Sequence, residues 1–319
     1  MIDQTLVLLG GAHVHLPDHL EHIKKRGWRI SHVFDRDTER RDELCKSLKA
    51  EPADPERLAD LGCRRAVVCS ETVFHEEDIL NALEAGLHVF TEKPLAGSAQ
   101  AAERCARKAE RLGLTLHTGY FFRTNDALRR LHAMLRAGAF GTIVDVRMRF
   151  SHDGGYANWL DLDCWMTDPA LACYGGFADE AVHVIDALQW LIGPIHSAHA
   201  VTGNALGWQV DDHGAGLVKF ENGATGVVEA GWTDSEMRLE IDLTGETGWA
   251  LLRAGKLEIG RRGTEAPEDV IPLSPLDAGE GIEPFLDRLE GAEASALVPP
   301  FDAVRVNRVL DEMGVRLPQ

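Results

Sequence analysis

The sequence predicts an α/β fold for its N-terminal part, a doubly wound parallel sheet, followed by an α+β domain built on a largely antiparallel sheet. Two observations predict this. Apolar runs alternate with helical periodicities over residues 5–118, and from about residue 196 closely spaced alternating segments follow one another between turn signals.

Thr5-Leu6-Val7-Leu8-Leu9 is a continuous apolar run stopping at Gly10-Gly11, the pattern of a strand buried on both faces. A helix is expected over 15–26, then a second strand ending in His32-Val33-Phe34-Asp35, then a charged helix after Asp37-Thr38. Arg65 to Ser70 reads as a third strand, Glu76 to Glu84 as a helix closed by Gly86, and His88-Val89-Phe90 as a fourth strand. An Ala-rich helix (Ser98 to Leu112) and a strand from Leu114 to Thr118 complete five strands joined by helices, which implies right-handed crossovers. After about Phe122 the texture changes. A helix over Asp126 to Ala137 precedes a half-buried strand, Ile143 to Phe150, and strands are expected at 196–202, 212–220, 225–232, 238–243, 249–252 and 256–259. Glu221-Asn222-Gly223, Gly245 and Ala254-Gly255 punctuate them as hairpin turns. The expected division is 1–122 and 123–319.

The 319 residues, 45% hydrophobic and 26% charged, have globular proportions. With 33 basic against 51 acidic residues the formal charge is −18, a surface that repels nucleic-acid phosphates and anionic headgroups. No stretch approaches the roughly 18 to 20 apolar residues of a membrane span, and Met1-Ile2-Asp3-Gln4 carries an acid where a secretory signal is basic. A cytoplasmic protein with neither nucleic acid nor membrane as partner is expected. Cys45, Cys63, Cys69, Cys105, Cys164 and Cys173 form no C-x-x-C pair and read as reduced structural thiols.

Gly10-Gly11-Ala12-His13-Val14-His15 lies between the first strand and first helix, where a dinucleotide pyrophosphate would rest on backbone N–H groups. It matches G-x-G-x-x-G only as Gly10, Ala12 and His15, and a plain strand-to-helix turn explains two glycines as well. Asp35 stands at the end of the second strand, where a carboxylate accepts the adenosine ribose hydroxyls. It favours NAD; the adjacent Arg36 could instead host a 2′-phosphate, which keeps NADP open. Thr91-Glu92-Lys93-Pro94-Leu95 follows the fourth strand at the carboxyl edge of the sheet, where ligands of such folds bind. In Gly175 to Asp186, a helix would set Asp179, His183 and Asp186 at i, i+4 and i+7, within about 60° of one another. A satisfied interfacial histidine is the competing reading of His183. No third His or Cys follows at ligand spacing, so no metal is expected.

With these segments the chain resembles the glucose-fructose oxidoreductase/inositol dehydrogenase (Gfo/Idh/MocA) family of NAD(P)-dependent oxidoreductases over nearly its whole length. The carriers are Ala82 to Leu95, Gly119-Tyr120-Phe121-Phe122-Arg123, and the Gly-Gly-x-x-Asp-x-x-x-His-x-x-Asp segment at 175–186. The resemblance implies a Rossmann domain at 1–122 and a substrate and oligomerisation domain at 123–319. It implies hydride transfer between nicotinamide C4 and a hydroxyl-bearing carbon of a sugar, inositol or related polyol. In this family the E-K-P lysine and the Asp and His of the D-x-x-x-H helix meet at the nicotinamide, which carries over to Lys93, Asp179 and His183. Ser70, Glu71 and His75 match the loop bordering the cofactor, and join Gly10, Gly11, Ala12, His13, Asp35, Arg36, Glu92 and Lys93 as the expected cofactor set. The sequence departs from the pattern at His15, in place of the last fingerprint glycine, and at Glu71, in a loop more often neutral.

His183, with an ordinary pKa near 6.5, is the expected base, Lys93 would stabilise the developing alkoxide, and Asp179 would hold the imidazole. Lys93 as the proton-transferring group is the alternative. Tyr120, Arg123, Asn125, His152, Tyr156, Trp159 and Trp165 are substrate candidates beside Asp179 and His183, because aromatic faces and a few fixed polar groups suit a polyol. A non-catalytic dinucleotide sensor of the same fold is the rival function. An outer sheet face bearing Val218, Val227 or Val228 and Leu243 would expose apolar area, so a homodimer or homotetramer is expected.

Overall fold

The computed structural model describes residues 4–157, 159–264 and 266–318; the acidic Met1-Ile2-Asp3 lies outside them. The chain forms two compact units, Met1–Phe121 with Asp277–Asn307, and Phe122–Leu276 with Arg308–Gln319.

In the first unit β1 (Thr5–Leu9), α1 (Leu16–Lys25), β2 (Arg29–Phe34), α2 (Thr38–Leu48), β3 (Glu51–Pro52), β4 (Arg65–Val68), α3 (His75–Glu84), β5 (His88–Thr91), α4 (Ala99–Leu112) and β6 (Leu116–Thr118) follow in order. The helix ends carry their own signals: Asp37 caps α2 through the Glu39 and Arg40 N–H groups, and Ser98 caps α4, which stops at Gly113 with φ 66°. All strand pairs are parallel, in the order β3-β2-β1-β4-β5-β6. Six strands thus replace the expected five. The extra one is the exposed pair Glu51–Pro52, too short and too polar to carry a strand pattern. The order reverses at β1, between β2 and β4, and the carboxyl ends there form the crevice in which such sheets bind ligands.

The segment 277–307 packs with this unit, whereas the division read from sequence assigned it to 123–319. Ile282, Phe285 and Leu286 share one buried cluster with Leu6, Leu8, Ile23, Trp28 and Phe90. Arg26 pairs with Glu283 (2.6 Å), Asp287 (2.9 Å) and Glu290 along α9 (Glu283–Glu290), so an apolar face and a ladder of acids return this piece to α1. No linker composition announces that return.

The second unit contains α5 (Asp126–Arg136), β7 (Ile143–Ser151), the short α6 (Gly154–Ala157) and α7 (Pro169–Ala172), and α8 (Gly176–Leu191). Then come β8 (Ile195–Gly203), β9 (His213–Phe220), β10 (Thr225–Gly231), β11 (Arg238–Gly245), β12 (Gly248–Arg253), β13 (Lys256–Arg261) and β14 (Asp269–Pro272). The boundary at residue 307 falls inside α10 (Pro300–Met313). The sheet order is β14-β13-β12-β11-β7-β10-β9-β8, antiparallel except for the β7–β10 pair. α8 packs against β10 and β7 with its apolar side chains inward.

The expected outer face is corrected here. Val218, Val228 and Leu243 are buried, at 4%, 0% and 0% exposure, on the face that α8 covers. The opposite face shows Val201 and Leu217, with Val227 half-buried beside Leu217 and Arg147. Period-2 alternation defines two faces without saying which one is covered. Among the described residues no helix is long and apolar enough to cross a membrane. All six cysteines are free.

Candidate functional site

The β1–α1 turn begins at Gly10, whose φ of +76° and whose position both demand glycine: a Cβ there would stand 2.4 Å from Ser70 Cα. The turn is stitched to its neighbours by its own N–H groups. Gly11 donates to Asp35 Oδ2 (2.7 Å) and His13 to Cys69 O (3.0 Å). Asp35 is buried at the end of β2, with Asp37 N–H on Oδ1 (2.8 Å) and the Arg40 guanidinium across both oxygens at 2.7 and 2.8 Å. Arg40 also reaches Glu71 at 2.9 Å, so two of the three acids of the expected cofactor set, Asp35 and Glu71, share one cation that the sequence reading missed. The signal was available: Arg40 stands on the first turn of α2, one turn past the Asp37 cap.

Arg36 turns elsewhere. Its guanidinium lies 4.0 Å from the Phe74 ring centre and pairs with Glu77 (2.6 Å) and Asp78 (2.9 Å), whose carboxyl burial pushes upward. His75 is buried between two carbonyls, Nδ1 2.8 Å from Pro94 O and Nε2 3.1 Å from Ser70 O, and burial holds its pKa below the ordinary value. It ties the loop after β4 to the segment after β5.

Glu92 and Lys93 leave β5 fully buried, Lys93 at 2% exposure. Glu92 accepts the Lys93 N–H at 2.8 Å, and three imidazoles converge on its carboxylate: His13 Nε2 at 3.4 Å, His15 Nδ1 at 3.3 Å, and His19 Nε2 in contact. Burial opposes charge at Glu92, and the surrounding imidazoles overcome it, holding the carboxyl well below the usual range. Burial, reinforced by His15, Lys93 and His75 and opposed by Glu92, drives His13 well below its ordinary value. Sequence reasoning named His13 and Glu92 as cofactor residues and treated His15 as a missing glycine. The i, i+4 spacing of His15 and His19 on one helix face was the unused clue.

In the second unit, Gly175 and Gly176 open α8 because two side chains occupy the space above them. A Cβ on Gly176 would lie 2.6 Å from the Trp232 ring, and one on Gly175 would lie 2.2 Å from Asp211 Oδ1. Asp211 acts as the cap that Gly175 lacks: Oδ2 accepts the Phe177 N–H at 2.9 Å and its carbonyl the Gly176 N–H at 2.7 Å. Its burial pushes the carboxyl up to about 6. Asp179 Oδ2 accepts the Trp232 indole N–H at 2.9 Å, and His183, 1% exposed, packs with ring centres 5.6 Å from Phe122 and 5.8 Å from Phe150. Asp186, the third acid of the motif, is held by Arg123 at 2.9 and 2.6 Å.

The substrate candidates separate. His152 is buried, with Nε2 3.0 Å from Glu180 and its ring 4.6 Å from that of Trp159. Asn125 caps α5 through the Ala127 N–H (3.1 Å) and donates to Ser274 O, while Trp165 opens the 3-10 turn Trp165–Thr167. Tyr156 and Trp159 are 59% and 53% exposed; Tyr120 is buried in the first unit. Trp232, Asp211 and Glu180 were not anticipated.

For a dinucleotide, the observations that bear on fit are the glycine cradle against Ser70 and the buried Asp35 carboxylate at a switch point of a parallel sheet. Both suit it.

The profile of an oxidoreductase family with an NAD-binding Rossmann fold matches residues 7–120, and the profile of the GFO/IDH/MocA C-terminal domain matches 128–251. A levoglucosan dehydrogenase of Pseudarthrobacter phenanthrenivorans is 27% identical over 180 residues, 49% of this chain and 46% of that protein. Myo-inositol dehydrogenase Hyg17 of Streptomyces leeuwenhoekii is 27% identical over 243 residues, 69% of this chain and 70% of that protein. An oxidoreductase domain protein from Kribbella flavida has the same fold, with a TM-score of 0.80 at 21% identity and 100% coverage of both chains. The chain spans about half the length of several curated relatives that it matches, with coverage of 53%, 46% and 52%. Two adjoining domain profiles in family order, on a fold shared end to end, establish that the chain belongs to the Gfo/Idh/MocA oxidoreductase family.

Proposed function

We propose that this protein is an NAD-dependent dehydrogenase moving a hydride between nicotinamide C4 and a hydroxyl-bearing carbon of a sugar, inositol or related polyol. The observation that carries the reading is the α8 segment, where two glycines make room for Trp232 and Asp211 and a buried His183 shares one helix face with Asp179. The relatives named as levoglucosan, D-glucoside and inositol dehydrogenases support the substrate class.

The residues that would hold the dinucleotide are Gly10, Gly11, Ala12 and His13 at the pyrophosphate, Asp35 at the ribose, and Ser70, Glu71, His75, Glu92 and Lys93 along the crevice. The cofactor supplies the hydride acceptor. NAD is favoured over NADP because the Arg36 guanidinium is already paired with Glu77 and Asp78. His183 takes the substrate hydroxyl proton, and Lys93 stabilises the oxygen as charge develops. Asp179, oriented by Trp232, favours the charged imidazole. The assignment of Lys93 with Asp179 and His183 to one reaction rests on the family motif. His152, Trp165, Tyr120, Arg123 and Asn125 remain the proposed substrate neighbours, with Arg123 acting through Asp186.

Titration of NAD and NADP by nicotinamide fluorescence, followed by turnover on a sugar and polyol panel, tests this. Tighter NAD binding with turnover of at least one polyol supports it; binding without turnover gives the sensor reading instead. A second copy of the chain on the sheet face carrying Val201 and Leu217 is the proposed partner, and light scattering at the mass of one 35.0 kDa chain would contradict that.

A further inference from the structure

We propose that His13, His15 and Glu92, with His19 as the group that holds Glu92, form a binding site for one divalent transition-metal cation of the zinc or cobalt class. One donor atom from each of His13, His15 and Glu92 lies within 4.8 Å of the others, and the two imidazoles take one carboxylate oxygen each, His13 Nε2 3.4 Å from Oε2 and His15 Nδ1 3.3 Å from Oε1. Donors bound at about 2.0 to 2.2 Å around a tetrahedral ion stand roughly 3.3 to 3.6 Å apart, so an ion would draw in three donors that already lie within 4.8 Å of one another. Two imidazoles and a carboxylate are the donor set that borderline divalent cations take, with a further position left to water or another ligand.

Three features of the chain favour this site. Glu92 is sealed in the unit at 0% exposure, and a buried carboxylate calls for compensating charge. The His15 side chain is 22% exposed while those of His13 and Glu92 are 1% and 0% exposed, which gives an ion one side from which to enter. His19 touches Glu92 through Nε2 and is itself fully buried, the position of a partner that orients a ligand.

Two features limit the affinity. Coordination through His13 Nε2 places the ring proton on Nδ1, so the 3.3 Å bond from the His15 N–H to Nδ1 is given up. The Lys93 ammonium also disfavours a further positive charge at His13. A micromolar rather than a tighter site follows. Because His13 and His15 belong to the β1–α1 turn and Glu92 to the end of β5, a bound ion would clamp the turn to the Glu92-Lys93 segment.

The experiment uses the full chain stripped with chelator and titrated with Co²⁺, read by visible absorption and by equilibrium dialysis, with Zn²⁺ as competitor. The expected result is one equivalent bound at micromolar concentrations, with ligand-field bands and proton release. Affinity should fall on the order of 10- to 100-fold or more in His15→Asn, whose half-buried side chain should not be needed for folding, and likewise in His13→Asn. A melting curve of each variant checks that it is folded. No stoichiometric uptake at hundred-micromolar free Co²⁺, or uptake that both substitutions leave unchanged, would overturn the proposal.

Discussion

Arg123 and Asp186 hold each other through a two-point ion pair, Nε to Oδ2 at 2.9 Å and Nη2 to Oδ1 at 2.6 Å, with side chains only 5% and 1% exposed. The pair ties the start of the second unit, one residue past Phe122, to the C-terminal half of α8. Removing one partner leaves an uncompensated buried charge, which is far costlier than removing both. Asp186→Ala should therefore lower the unfolding free energy by about 3 to 5 kcal/mol in urea titration, and Arg123→Met with Asp186→Leu should recover most of that. A loss under about 1 kcal/mol in the single variant would count against the pair as a structural element.

His22 links α1 to the returning segment through Glu283 (2.6 Å) and Asp277 (3.0 Å). Burial works against its charge, and these two carboxylates overcome it, so its folded pKa lies above the ordinary 6.5. The stabilisation is fully present below that ordinary value and is lost as pH rises through the raised folded value. Thermal midpoints of wild type should thus fall more between pH 6 and 8.5 than those of His22→Gln. Parallel curves would show that the bridge contributes nothing.

Asp211 has the opposite sign from most acids. Its carboxyl is raised to about 6 by burial, so the folded chain binds the proton more tightly than the unfolded one, and stability falls as pH rises from about 4 to 6. Asp211→Asn keeps an oxygen for the Phe177 N–H and cannot ionise. It should be more stable than wild type by roughly 1 to 2 kcal/mol at pH 7.5, after the added amide donor takes back part of the gain, with no advantage near pH 4. Equal stability at both pH values would contradict the buried ionisation.

Much of the first unit was legible because its strands are near-continuous apolar runs and its helices carry caps, as at Asp37, Ser98 and Gly113. The α8 face was legible because three polar residues at helical spacing interrupt an apolar helix. What escaped depends on pairing between distant segments. Arg40 covering Asp35, three histidines around Glu92 and Trp232 on Asp179 leave no local periodicity, nor does the return of 277–307 to the first unit. The covered face of the second sheet also escaped, since alternation at Val218 and Leu217 is symmetric until a helix chooses a side.

The central claim is that His183 accepts a proton from the substrate in a reaction assisted by Lys93. The most direct test is the steady-state turnover of His183→Asn with NAD and a polyol that wild type oxidises, measured beside cofactor affinity and a melting curve. The predicted result is a loss of about 10² to 10⁴-fold in turnover, with cofactor affinity within about threefold, because the group acts on charge that develops in the transition state. Lys93→Met should lose about 10² to 10³-fold, and the double variant less than the product of the two. Turnover within about threefold of wild type in a folded His183→Asn protein would contradict the account, since an imidazole merely packed against Phe122 and Phe150 would affect stability and leave catalysis near normal.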